Sequence, residues 1–281
     1  MIKKVIVIIF LLNLAFIINS DSLFNDVLTG NYESVKKNIS KININTKDDT
    51  GKTFLHYSVM LGDRNIEITK YLISLNINVN EKDNLGRTPI FYLIDPGFSI
   101  SDTRVKTLNL LLENKADINS KDNNGDTILH LSPIYGLLNH FDFLEFIIKS
   151  GADVNIKNNY GRTPLMESYI LYSLEKVKIL LKHGAQINDE DNNGGTALFW
   201  HCYSGIPEIV DFLLNNGADI NHVDHDGNSV LMVAVNNMKY EVVRLLLKNG
   251  VNKEIKNNEG LRAIDYASKN SDKEMIDLLK E

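Results

Sequence analysis

The chain has 281 residues, 36 acidic and 30 basic side chains, a net charge of −6 at pH 7 and 43% hydrophobic residues. A mildly acidic chain without a basic block is excluded as a nucleic-acid binder, because that binding needs clustered Lys and Arg to displace counterions. Its single cysteine, Cys202, excludes an internal disulfide, so the fold is held by packing. The first segment in chain order differs from all that follows. Lys3 and Lys4 precede an apolar run from Val5 to Leu12, which resumes over Leu14 to Ile18 before Asn19, Ser20 and Asp21 turn polar. This is the layout of a secretory signal peptide over residues 1–20, with Ser20 as the small residue before the cut. The alternative is an uncleaved membrane anchor, but the run falls short of the ~20 residues a spanning helix needs. Cleavage removes two lysines and no acid, which takes the charge to −8. The expected location is therefore periplasmic or secreted.

Beyond residue 21 the chain repeats itself. Leu23–Leu28 and Glu33–Ile39 fit a helix pair without a preceding turn, as expected of an N-terminal cap. The turn Asp48-Asp49-Thr50-Gly51 and the Lys52-Thr53-Phe54-Leu55-His56 after it then return six times. The glycine recurs at Gly86, Gly125, Gly161, Gly194, Gly227 and Gly260, with gaps of 35, 39, 36, 33, 33 and 33 residues. A period in this range is the signature of a solenoid whose core lies between neighbouring units. The expected units are 21–45, 46–80, 81–119, 120–155, 156–188, 189–221, 222–254 and 255–281, forming one domain of about eight units.

One unit shows the physics. Asp191, Asn192, Asn193 and Gly194 make a tight turn, with Asp bonding its own backbone and Gly supplying positive φ. Thr196 is placed to cap a short helix that ends at Gly205. A second helix runs from Pro207 to Asn215, carrying Ile209, Val210, Leu213 and Leu214 on one face, and Gly217 closes it. Pro89 and Pro164 stand at first helical positions, where the missing N–H is not needed. In the last unit Arg262-Ala263-Ile264-Asp265 replaces the usual helix start, and the charges of Asp272–Lys280 suit a terminal cap.

Thr53-Phe54-Leu55-His56, Thr88-Pro89-Ile90-Phe91, Thr127-Ile128-Leu129-His130 and Thr163-Pro164-Leu165-Met166 resemble the Thr-Pro-Leu-His element of ankyrin repeats. Gly151-Ala152-Asp153-Val154-Asn155 and Gly217-Ala218-Asp219-Ile220-Asn221 are similar to that family's Gly-Ala-Asp-Val-Asn element. The resemblance covers residues 21–281. It implies an all-α repeat solenoid of antiparallel helix pairs with β-hairpin-like fingers. It also implies a concave surface, formed by fingers and first helices, that binds another protein. His56 and His130 would be structural, bonding between loops.

Units depart from the pattern in two ways. The longer gaps place extra residues between the two helices of three consecutive units, most of them near Asp95–Asp102, where Phe98 sits. They read as length drift or as a functional face. The position after the Thr-Pro-Leu-His element is Tyr57, Tyr92, Leu131, Glu167, Trp200, Val233 and Tyr266 in turn. In ankyrin-like stacks this column faces the groove. Its rings are either a rigid contact surface or packing along the stack. Tyr57, Tyr92, Trp200 and Tyr266 are the candidate protein-binding residues, joined by Tyr160 at an exposed finger. The finger tips 47–50, 82–85, 121–124, 157–160 and 223–226 are further candidates. The abundant asparagines read as compositional bias.

Catalytic readings are weak. His201 and Cys202 are neighbours on one helix, so their side chains diverge by about 100° and do not form a nucleophile pair. His222-Val223-Asp224-His225-Asp226 has metal-ligand residues, but Asp224 is already the turn residue and a finger tip lacks a supporting shell. No glycine-rich phosphate cradle is present. The expectation is a monomeric, non-enzymatic, exported protein-binding scaffold with no cofactor, metal or small-molecule substrate. The alternatives are a secreted factor that engages a host protein, a structural spacer, and a metal- or thiol-dependent enzyme.

Overall fold

A computed structural model of the protein describes residues 22–60, 66–94, 102–132, 140–170 and 173–280. The signal-like segment lies outside these residues, as do the insertions between helices, Phe98 included. No described helix is long and apolar enough to cross a membrane. The helices in chain order are α1 (Ser22–Thr29), α2 (Tyr32–Asn38), α3 (Phe54–Met60), α4 (Ile66–Ser74), α5 (Asp102–Glu113), α6 (Ile128–Leu131), α7 (His140–Lys149) and α8 (Pro164–Glu167). They continue with α9 (Leu174–Lys182), α10 (Ala197–Ser204), α11 (Pro207–Asn215), α12 (Val230–Asn236), α13 (Tyr240–Lys248), α14 (Ala263–Lys269) and α15 (Lys273–Lys280). Pro89–Ile94, expected as an α-helix, is a 3-10 helix, opened by an i→i+3 bond from Phe91 N–H to the Thr88 carbonyl at 3.1 Å. The fingers form turns rather than strands: among the described residues, pairing is limited to an antiparallel bridge between Val223 and Ser229.

The described residues pack as two units, those within 1–123 and 135–151 forming one and those within 124–134 and 152–281 the other. In the first, Phe24 stacks on Phe54 with ring centroids 4.2 Å apart, over a core that includes Val27, Leu55, Leu72, Leu108 and Ile147. In the second, the apolar stripes of the longer helices meet: Ile209, Val210 and Leu213 on α11, and Val242, Val243 and Leu246 on α13, all with no exposed surface. Their i, i+1, i+4 spacing places each set on one face.

The short helices are started by an N-cap side chain, by the side chain three residues on, or by both. Thr196 accepts from the Phe199 amide at 3.4 Å, as the sequence predicts. Ser229 does the same for Met232 at 3.3 Å. His56 returns the favour at its cap, its Nδ1 accepting from the Thr53 amide at 3.0 Å. In the last unit Asp265 replaces that histidine and takes the Arg262 amide at 2.7 Å.

Between repeats the asparagines form a ladder, which composition alone did not reveal. Asn188 accepts from the Asp219 amide at 3.0 Å and donates to the Gly217 carbonyl at 3.1 Å. Asn155 bonds Gln186 and Gly184 in the same way at 2.9 and 3.1 Å, and Asn80 bonds Asp117 and Lys115, both at 2.8 Å. A second ladder runs through the fingers, where the Asn123 amide donates to the Leu85 carbonyl at 2.9 Å. That approach explains one glycine. Gly86 has φ of 76°, and a Cβ there would meet the Asn123 backbone nitrogen at 2.7 Å. Gly86→Ala is therefore expected to lower the urea midpoint by the equivalent of about 2 kcal/mol, from left-handed strain and the lost finger contact.

Candidate protein-binding groove

The finger turn is the first layer of the site. Asp191 Oδ1 accepts from the Asn193 and Gly195 amides at 2.8 and 2.9 Å. Its Oδ2 accepts from Trp200 Nε1 at 2.9 Å. The same arrangement recurs with Asp48, which holds the Thr50 and Lys52 amides at 2.9 and 2.8 Å and takes the Tyr57 hydroxyl at 2.5 Å. Tyr92 donates likewise to Asp83, and Asn257 donates to the Tyr266 oxygen at 2.9 Å. The aromatic column is thus nine residues beyond the turn residue and latches the finger to its helix. Where the column lacks an aromatic donor, another group serves: Asn228 reaches Asp224 at 3.1 Å and Arg87 reaches Asp122 at 3.4 Å.

Of the two readings left open for the column, contact surface or packing, burial in the first unit favours packing for Tyr57 and Tyr92. Tyr57 is 0% and Tyr92 9% exposed, because the hydroxyls must point inward to reach the turn carboxylates. Burial beside those carboxylates pushes both hydroxyls well above the usual tyrosine range, so both remain donors. Tyr57→Phe is expected to cost about 1–2 kcal/mol in urea unfolding without changing the secondary structure seen by circular dichroism.

In the second unit the column opens onto a groove of about 300 Å³, lined by Phe199, Trp200, Tyr203, Asn228, Met232, Val233, Asn236, Asn237 and Tyr266. Trp200 and Tyr266 are half-buried. Tyr203, 47% exposed, meets Trp200 edge-on with centroids 6.2 Å apart. Trp200 is also covered by the Arg162 guanidinium, 3.8 Å from the ring centroid, which is itself paired with Glu167 at 3.2 Å and lies 3.6 Å from Asp191. Tyr160 is 59% exposed on its finger, with the same guanidinium 5.7 Å from its ring. It is not part of the groove lining. Sequence reasoning missed Tyr203, which stands three residues after Trp200 and so shares its helix face. It also missed the asparagine rim, having set the asparagines aside.

The groups weighed for catalysis sit otherwise. Cys202 is 0% exposed and burial pushes its thiol up, so it is an inert core residue in this structure. His201 is equally buried, and burial lowers its pKa to about 4. His222 donates to the Gly194 carbonyl at 2.7 Å, and His222 and His225 stand 3.9 and 3.8 Å from Glu190. Among the described residues no group of three or more His, Cys, Asp or Glu is arranged to hold a metal ion. His56 and His130 bond across to the next finger: Nε2 of each donates to a carbonyl, Arg87 at 3.0 Å and Arg162 at 2.9 Å.

A family model described as ankyrin repeats in three copies matches residues 23–122, 97–191, 134–224 and 198–281. The chain belongs to the ankyrin repeat family. No curated protein matches it. Ankyrin repeats generally mediate protein–protein binding, and the family is typically non-enzymatic. The groove lies where these ankyrin repeats present their short helices α10, α12 and α14 beside the finger turns, on a frame that the latches and ladders hold in place.

Proposed function

We propose that this ankyrin repeat chain is a non-enzymatic scaffold that binds a segment of a partner protein in the groove of the second unit, and that it does so outside the cytoplasm. The observation that carries the binding reading is the groove itself. Half-buried Phe199, Trp200 and Tyr266 and exposed Tyr203 line one continuous surface with the side-chain amides of Asn228, Asn236 and Asn237 at its rim. Rigid aromatic anchors beside polar side chains are the chemistry of binding hot spots. Because Asp191 fixes Trp200, little side-chain entropy remains to be lost on association. The basic start and apolar run of residues 1–20 support export.

Site-specific photocrosslinking tests the binding reading. A crosslinker at Asn236 on the groove rim is expected to capture a defined partner, while one at the exposed Glu208 on α11 is not. Equal capture from both positions would refute it. The mass of the protein recovered from the producing cells tests export: a mature chain starting at Asp21 is expected, and an intact chain retained in the cytoplasm would refute that half of the proposal.

A further inference from the structure

A cavity of about 470 Å³ lies elsewhere in the second unit, between α13 and α15. It is lined by Arg244, Leu247 and Lys248 of α13, by Val251 and Lys253 of the loop after it, and by Leu278 of α15, and it shares no residue with the groove. Val251 and Leu278 are buried and Leu247 is half-buried, so the aliphatic lining forms the floor. The other three residues are cations, Arg244 and Lys248 exposed and Lys253 half-buried. No carboxylate lines the cavity among the described residues.

The repeat marks one of these cations as out of place. Lys253 stands where earlier units carry Val79, Ile118, Val154, Ile187 and Ile220. That aliphatic column packs neighbouring units together, and packing does not explain a lysine in it. Its ammonium donates to the Leu279 carbonyl at 3.1 Å, which occupies one of three donors. Lys248 has a simpler origin: it ends α13, where the helix dipole favours a cation, as Lys149 and Lys182 end α7 and α9. Neither Lys248 nor Lys253 has a carboxylate partner among the described residues. Arg244 does, with Glu274 at 3.1 Å and Glu241 at 3.6 Å. Both acids are exposed, and pairs of that kind hold weakly. Three cations against two carboxylates leave one positive charge at the cavity. Asp277 and Lys280, on the same helix as Leu278, are opposite in sign, and neither lines the cavity.

We propose that this cavity binds a small aliphatic monocarboxylate. Its hydrocarbon chain covers Leu247, Val251 and Leu278, and its carboxylate takes the open donors of Lys248 and Lys253 in charge-assisted bonds. The volume is in the range of small-ligand sites, and an apolar floor with a few convergent polar groups is their usual make-up. Each half of the lining rejects a different competitor. An alcohol of the same length leaves the two ammonium groups unanswered, and inorganic phosphate or acetate leaves the aliphatic floor in water. The site adds a small-molecule ligand to a chain whose repeat pattern points only to a protein partner, and it stands or falls independently of the groove.

Equilibrium dialysis of the full chain against radiolabelled octanoate tests this. Saturable binding is expected, with octanol, acetate and inorganic phosphate each at least about tenfold weaker as competitors. Lys253→Met, which returns an apolar side chain to the column, is expected to weaken octanoate several-fold. Lys248→Gln, at an exposed position, is expected to do the same, and melting curves confirm that both variants are folded. Tyr203→Ala, in the groove, is expected to leave octanoate binding unchanged. Octanol that competes as well as octanoate would overturn the carboxylate, and phosphate or acetate that does so would overturn the aliphatic ligand. Octanoate binding that survives both lysine substitutions, that is lost in Tyr203→Ala, or that never saturates would overturn the site itself.

Discussion

Lys176→Met is expected to stabilise the second unit by about 3 kcal/mol at pH 6. Lys176 is on α9 at a position that recurs every 33 residues as Ile209, Val242 and Met275, and all four side chains are 0% exposed. The lysine thus occupies a core site that its counterparts fill with apolar atoms. Its ammonium has three donors and makes one hydrogen bond, to the His130 carbonyl at 3.2 Å. Burial lowers its pKa to about 7, and the attraction of Glu167 and Asp126 offsets only part of that. The folded value lies below the unfolded one, so the penalty is absent above the ordinary lysine value, grows as pH falls, and is complete below about 7. The distance from 10.5 to about 7 corresponds to a gross penalty of about 5 kcal/mol. Methionine removes the bond from Lys176 to the His130 carbonyl, which returns about 1–2 kcal/mol of the gain. Urea midpoints of the two proteins at pH 6 and at pH 10 check the argument. The gap is expected to be large at pH 6 and nearly closed at pH 10. A gap of the same size at both would assign the gain to packing rather than to the buried charge.

The same periodicity explains what the sequence made legible. Helix pairs, caps and turns follow from local rules that each unit repeats, so Thr196, Gly205 and Pro207 lie where the pattern puts them, and α10 and α11 have the expected bounds. A residue that breaks the pattern at a periodic position, as Lys176 does, is visible only when units are laid over one another. The direction of the aromatic column was not legible, because a tyrosine hydroxyl serves equally as a contact atom and as an internal donor. What decides is the carboxylate nine residues earlier, whose second oxygen can accept the ring's donor once the first has taken the turn amides. Tyr57 and Tyr92 follow that oxygen inward, whereas the larger indole of Trp200 reaches Asp191 through Nε1, stays half-buried and lines the groove. The asparagine ladders were hidden for a different reason. Their bonds link residues about one period apart, and composition counts asparagines without registering their spacing.

His56→Ala is expected to cost the first unit about 3–4 kcal/mol at pH 7. The imidazole is 0% exposed and joins two fingers. Nδ1 accepts from the Thr53 amide at 3.0 Å, and Nε2 donates to the Arg87 carbonyl at 3.0 Å. Alanine leaves a buried donor and a buried acceptor unpaired and opens a cavity beside the Tyr92 ring, whose centroid is 5.6 Å from that of His56. The geometry also fixes the charge state. A proton on Nδ1 would face the Thr53 N–H, and burial, the largest influence, lowers the pKa to about 4. The folded value lies below the ordinary 6.5 of the unfolded chain, so the histidine's contribution is complete above about pH 6.5 and is lost as pH falls from there through about 4. The interval corresponds to about 3 kcal/mol. Denaturation of wild type and His56→Ala at pH 7, 5.5 and 4 is expected to show a stability gap that shrinks steadily with acid, because the variant has no such proton to take up. A gap that stays constant across that range would mean that His56 takes up its proton as readily in the folded state as in the unfolded chain, and that the cavity and the lost bonds alone set its cost.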